Sequence, residues 1–284
     1  MRLALCALLF LGAVSAVAED PVLVGAGDIA DCKTLSGAAK TAALLDQIPG
    51  TVFTLGDNAY DSGTPREFAD CYGPTWGRHK ARTRPVVGNH DYRTAFANGY
   101  FDYFGDAAGD RTKGYYSYDL GAWHIVVINS NCAQVGGCKE GSPQVEWLKK
   151  DLAEHPAPCT AAMWHHPRFS SGREHGDDPS MQTIWQVLYD AHADLALSGH
   201  DHDYERFARL DASGKPDTRG LRQIVAGTGG RELYPWGSTR PGSEIKNNET
   251  FGVLKLTLHP ESYDWEFIPV EGGTFHDKGS DVCR

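Results

Sequence analysis

After its first eighteen residues this 284-residue chain has no apolar run long enough to cross a bilayer. It has no C-x-x-C pair, which argues against a thiolate metal site. It has no G-x-x-x-x-G-K-S/T loop and no G-x-S-x-G elbow, so neither a P-loop nucleotide site nor a serine-hydrolase nucleophile is written in it. Positive charge is scarce. The 27 Lys and Arg stand against 37 Asp and Glu, the net charge is −10, and the basic residues form no run, which disfavours a nucleic-acid duplex as partner. Repeats, low-complexity stretches and linkers are also missing. One dinucleotide-like pattern occurs, Gly25-Ala26-Gly27-Asp28-Ile29-Ala30 after a strand, with Asp46 near the place of a ribose-binding acid. Asp28 would aim a carboxylate where pyrophosphate must sit, and Asp31 to Thr34 delay the helix, so this reading is set aside.

The N-terminus reads as a targeting segment. Arg2 precedes an apolar stretch from Leu3 to Val14, and Ala16-Val17-Ala18 is a small-x-small cleavage site. Residues 1–18 are therefore expected to be a signal peptide cut after Ala18, leaving one domain over 19–284, secreted or periplasmic and not membrane-bound. Six cysteines remain, an even number that favours disulfides in an exported chain. Cys132 and Cys138 could close a small loop. Cys32 and Cys71 each follow a polar strand-tip segment, and Cys159 and Cys283 are left to pair. That is the expected pairing among the 15 that six cysteines allow.

Periodicity places strands at Val22–Gly25, Thr51–Leu55, Arg84–Val87, Tyr115–Leu120, Trp123–Asn129, Thr160–Trp164 and Asp194–Ser198. Helices are expected at Gly37–Ile48, Pro65–Cys71, Arg93–Phe104, Ser142–Glu154 (Ser142 as its cap) and Ser180–His192. Leu221–Ala226, Gly252–Leu258 and Tyr263–Pro269 are strands with no helix between them. Alternation followed by a strand-rich tail predicts an α/β layer protein with a second sheet.

Polar residues gather at the ends of the strand-like runs. The segments are Gly27-Asp28, Gly56-Asp57-Asn58-Ala59-Tyr60, Gly88-Asn89-His90-Asp91, Trp164-His165-His166-Pro167 and Gly199-His200-Asp201-His202. Together they offer carboxylate, amide, phenol and imidazole ligands, enough for two adjacent metal ions.

In this order the segments resemble the motif set of the calcineurin-like metallophosphoesterases. Tyr60 and the extended run Gly199–Arg206 resemble the purple acid phosphatase branch, and Trp76-Gly77-Arg78 and Gly227-Thr228-Gly229-Gly230 are similar to segments of secreted members. The resemblance covers nearly all of the mature chain. It implies an α/β fold, a four-layer α/β/β/α sandwich of two mixed sheets with flanking helices. It implies one metal held by Asp28, Asp57, Tyr60 and His202, and a second held by Asp57, Asn89, His165 and His200. Asp57 bridges them. A tyrosinate suits ferric iron, and amide with imidazole suits divalent iron, zinc or manganese. The family pattern His-x-Pro favours His165 over His166. His90 is expected to hydrogen-bond the phosphate or assist proton transfer. His175 is expected to protonate the leaving group. The first motif departs from the family in having Ala30 where glycine is usual. The plant members' N-terminal fibronectin-like domain has no room here.

The implied activity is hydrolysis of small phosphate monoesters by metal-activated hydroxide. A phosphodiesterase or nucleotide hydrolase could use the same centre. A non-catalytic metal- or phosphate-binding protein would be marked by a lost ligand or a lost His90, and neither is lost. A secreted interaction module, with the motifs serving only as turns, would bind no metal.

Overall fold

The computed structural model describes residues 19–284, so the expected signal peptide and Cys6 lie outside the described residues. Along the chain come β1 (Val22–Ala26), β2 (Ala30–Asp31), α1 (Ser36–Leu45), β3 (Thr51–Thr54), β4 (Ala59–Tyr60), α2 (Pro65–Glu67), β5 (Thr83–Arg84) and α3 (Asn98–Phe104). Next are β6 (Tyr116–Leu120), β7 (Trp123–Val127), α4 (Pro143–Glu154), β8 (Cys159–Met163), α5 (Gln182–Asp190) and β9 (Leu195–Ser198). The remainder is strand: β10 (Tyr204–Leu210), β11 (Leu221–Ala226), β12 (Ser243–Asn247), β13 (Gly252–Leu258), β14 (Ser262–Pro269) and β15 (Asp277–Val282).

Two mixed sheets result, ordered β15-β14-β13-β1-β3-β5 and β12-β10-β11-β9-β8-β7-β6. Period-two burial explains how they stack. Leu23 and Phe53 from one sheet meet Ile125, Met163, Leu197 and Ile224 from the other in a central core. The alternate residues face outward onto helices. Val24 and Ala26 pack on Ala38, Ala42 and Leu45 of α1. Val126 and Ala162 pack with Val145 and Leu148 of α4 and Ile184, Trp185 and Leu188 of α5. Strands covered on both faces read as unbroken apolar runs, as β1 does. The layers are α/β/β/α, as expected.

Three local expectations need correction. The Arg93–Phe104 segment is not one helix, because Phe96 and Ala97 have φ of 54° and 50° and only Asn98–Phe104 is α. In Arg84–Val87 only Arg84 pairs, since Pro85 has no N–H to give the ladder. Ser142 does occupy the N-cap of α4, before Pro143, but its buried hydroxyl makes no capping bond. The disulfides are Cys32–Cys71, Cys132–Cys138 and Cys159–Cys283, with Cα–Cα distances of 5.4, 5.2 and 5.3 Å.

Candidate metal centre

β1 runs parallel to β3, and β8 parallel to β9, so the loops leaving these four strands gather on one edge of the sandwich. Asp28 follows β1, Asp57 follows β3, His165 follows β8, and His200 and His202 follow β9. The loops turn sharply. Asp28, Asp57 and His200 adopt φ of 61°, 51° and 72°, a region L-residues enter at a cost. Backbone bonds stitch one tip to the next: Asp28 N–H donates to Gly56 O at 3.0 Å, Ile29 N–H to Asp57 O at 3.0 Å, and Gly199 N–H to His165 O at 3.0 Å. Side chains are caught too, with His90 N–H donating to Asp57 Oδ1 at 2.8 Å and His200 N–H to Asp28 Oδ2 at 2.9 Å. Gly199 has to be glycine, since a Cβ there would lie 2.6 Å from Asp28 Oδ2 and 2.9 Å from Leu55 O.

Two donor groups form around Asp57. On one side the Tyr60 hydroxyl lies 2.9 Å from Asp28 Oδ1, 3.2 Å from Asp57 Oδ2 and 3.1 Å from His202 Nε2. On the other, His165 Nε2 lies 3.3 Å from Asp57 Oδ2, 3.0 Å from Asn89 Oδ1 and 3.1 Å from His200 Nδ1. Backbone carbonyls orient two of the imidazoles. His165 Nδ1 donates to Leu55 O and His202 Nδ1 to Glu232 O, each at 2.7 Å. A carbonyl only accepts, so both Nδ1 atoms carry protons and both Nε2 atoms turn inward. Asp28, Asp57, Tyr60, His165 and His202 are buried, while Asn89, His90 and His200 are part-exposed, so the centre opens on their side.

This crowding of acceptors suits cations. Burial opposes a charge on His165, yet the Asp57 carboxylate beside it prevails and holds it up at about 9. A proton there does the work that a metal ion would do. Burial likewise opposes charge on Asp57, and the surrounding imidazoles keep its carboxyl well below the usual range. Burial, and then the Asp28 and Asp57 carboxylates, push the Tyr60 phenol well above its ordinary value. Only a strong cation could displace that proton. The donor set fits two metal ions with mixed oxygen and nitrogen ligands.

The remaining expected residues lie around the rim. His90 Nδ1 donates to Asp61 O at 2.7 Å, and its Nε2 is 3.9 Å from Asp57 Oδ2. His175 is exposed and stacks on His200, with ring centroids 3.8 Å apart. His166 turns aside, its Nδ1 2.7 Å from Ser130 Oγ. Burial first, and then His165, push it down to about 3.

Several neighbours support the centre: Asp91 is the turn residue its motif suggests, and the others carry no such expectation. Asp91 accepts from Gly88 N at 2.9 Å and Asn58 Nδ2 at 3.0 Å, pinning the turn that presents Asn89. Asp201 accepts from Gly176 N at 3.0 Å and Glu205 from Ser171 N at 2.7 Å, fastening the loop that carries His175. Both sit inside the Gly199–Arg206 run, which was the available signal. Arg231 lies over the Tyr60 ring at 4.8 Å, and Tyr234 stacks on His202 at 3.8 Å. Neither is signalled by sequence spacing.

Residues 22–204, more than half of the chain, match the calcineurin-like phosphoesterase family, and the chain belongs to it. It is 27% identical over 223 residues to purple acid phosphatase 15 of Arabidopsis thaliana, covering 66% of this chain and 41% of that protein. Its fold is similar to that of a purple acid phosphatase from yellow lupin (Lupinus luteus) seeds, with a TM-score of 0.74 at 19% identity, over 93% of this chain and 54% of that one. It is also similar to the anchor in the inner membrane complex of Plasmodium, with a TM-score of 0.73 at 15% identity, over 94% and 90% of the two chains. The chain thus spans about half or less of the length of these purple acid phosphatases. A phosphatase and an anchor share the fold, so activity must be argued from residues.

Proposed function

We propose that residues 19–284 form one catalytic domain, a secreted binuclear-metal phosphoesterase acting on small phosphate monoesters, released by cleavage after Ala18. One observation carries the reading: two inward-facing donor groups share the buried Asp57 carboxylate. Asp28, Asp57, Tyr60 and His202 would hold a ferric ion, and Asp57, Asn89, His165 and His200 a divalent iron, zinc or manganese. When bound, the pair would supply Lewis acidity toward a phosphoryl oxygen and lower the pKa of a coordinated water. The chain's own residues do the rest. Leu55 O and Glu232 O fix the His165 and His202 tautomers. His90, oriented by Asp61 O, faces the phosphoryl group, and His175, exposed on its anchored loop, gives a proton to the departing alcohol. The similar purple acid phosphatases, the disulfides and the apolar N-terminal segment support secretion.

The test is Asp57→Asn, with elemental analysis and a panel of mono- and diesters. Activity should vanish and bound metal should fall to half or less. Two metals per chain with a near-normal rate would refute the shared carboxylate. A wild type that prefers diesters would favour the phosphodiesterase reading.

A further inference from the structure

Arg93 lies three residues past His90 and is exposed at the open side of the centre. Its Nη1 donates to Asp61 O at 3.2 Å and its Nη2 meets His90 Nε2 at 3.1 Å, and no carboxylate among the described residues pairs with it. The two cations nearby are already neutralised. Lys33 and Arg231 both pair with Asp61, at 2.8 and 3.3 Å, and Arg231 pairs with Asp31 as well. Arg93 is thus an uncompensated positive charge beside a buried carboxylate site, in a chain of net charge −10.

The His90 tautomer strengthens the point. Its Nδ1 carries the proton, because Asp61 O can only accept. Its Nε2 is then a lone pair, held by a guanidinium that can only donate. The Arg93 fork, held by Asp61 O and His90, then supplies donors on that side of the centre. A guanidinium has five N–H donors in a planar fork, and two are used here. Three are free to reach an oxyanion lying over the centre.

We infer that Arg93 binds the phosphoryl group of the substrate and selects monoesters over diesters. A monoester dianion presents a third non-bridging oxygen and a second negative charge. A diester puts an alkoxy group in that place, which the fork cannot use. The inference rests on the phosphoesterase reading and adds a residue that sets its substrate class.

The experiment compares wild type, Arg93→Met and Arg93→Lys on an aryl phosphate monoester and the matching bis-ester, with inorganic phosphate binding measured by calorimetry and metal content by elemental analysis. A charge-assisted hydrogen bond corresponds to about 10- to 100-fold. The monoester-to-diester ratio of kcat/KM should fall by about that much in Arg93→Met, phosphate affinity should weaken in parallel, and metal content should hold. Arg93→Lys should recover part of both. Equal losses on the two esters, or loss of metal, would show that Arg93 only props His90 and would overturn the inference. If wild type binds phosphate but cleaves neither ester, the phosphoesterase reading fails. Phosphate affinity then decides for Arg93: roughly tenfold weaker binding in Arg93→Met supports it, and unchanged binding overturns it.

Discussion

Replacing Gly199 with alanine is expected to force the centre apart from within. The new Cβ would lie 2.6 Å from Asp28 Oδ2, where ordinary contact begins at 3.4 Å. On another side the carbonyl of Leu55 stands 2.9 Å away and belongs to a buried backbone that cannot retreat. The carboxylate must therefore move by roughly 0.8 Å, or the His200 tip must back away by as much. Either motion breaks the 2.9 Å bond from His200 N–H to Asp28 Oδ2 and separates donors from the two groups. Displacement on the order of 1 Å costs about 10²-fold in rate. Gly199→Ala should therefore lose about 10²-fold in kcat/KM for a monoester, together with part of its metal. Gly272→Ala is the control. Its φ is +85° with nothing within 4 Å of a Cβ, so it should lose stability by roughly 1 kcal/mol and leave the rate alone. Steady-state kinetics, metal analysis and thermal melts of the three proteins read the result. A folded Gly199→Ala with full metal and a rate no lower than the control would refute the reasoning.

Three more outcomes are expected. Iron-loaded, oxidised protein should be pink or purple, and Tyr60→Phe should bleach it. Colour surviving the substitution would exclude the phenol as a ligand, and an active but colourless wild type with zinc or manganese would exclude the iron. His124 touches two carboxylates, Asp119 Oδ1 at 2.8 Å and Asp151 Oδ2 at 2.9 Å, so both ring nitrogens must carry protons. Burial opposes that charge, but the bonds to Asp151 and Asp119 outweigh it and raise the folded-state value above 6.5. The contribution is full below 6.5 and lost as pH rises through the folded value, so thermal melts at about pH 5.5 and about pH 8.5 should separate for wild type and much less for His124→Asn. An equal separation in both would sink the ion-pair account. The Cys159–Cys283 bridge spans 124 residues and Cys132–Cys138 spans 6. Loop entropy gives about 5 and about 2.4 kcal/mol respectively, so paired Cys→Ala variants should lose stability in that order in urea unfolding. The reverse order would argue against the entropic origin.

The centre was legible because its chemistry is confined to short tips that follow apolar strands. Asp28, Asp57, Tyr60, Asn89, His165, His200 and His202 all come together, although five separate stretches of chain supply them. The central strands were legible for the same reason, being buried on both faces. The edges were not. β12 reads Ser-Glu-Ile-Lys-Asn and β15 reads Asp-Lys-Gly-Ser-Asp-Val, charged sequences that guard a sheet edge against further pairing and so look like loop. β10 was hidden inside a motif, its Tyr-Glu-Arg-Phe-Ala-Arg-Leu carrying polar residues that pair across the fold, such as Arg206 with Asp277 at 2.7 Å. Arg231 and Tyr234 matter only through a loop that returns from late in the chain. Arg93 falls in a stretch whose pattern suggests a helix, and nothing in that pattern signals that its guanidinium turns onto His90.

The pairing of β1 with β13 bears on when the centre comes into being. β1 lies between β3 and β13, with Val22 opposite Thr257. The first ligand loop is tied down by distant chain as well, Gly229 N–H donating to Gly27 O at 2.8 Å and Arg231 N–H to Asp28 O at 2.9 Å. One side of β1 thus waits for β13, which is made long after it. Closing so long a loop must precede the contacts that reward it, which makes such a topology slow to form. If the chain is exported as proposed, one that crosses before its tail has docked would carry no finished centre across the membrane. On the proposed reading its metals would be acquired at the destination, and the supply in that compartment, as much as the ligands, would decide which ions the two donor groups come to hold.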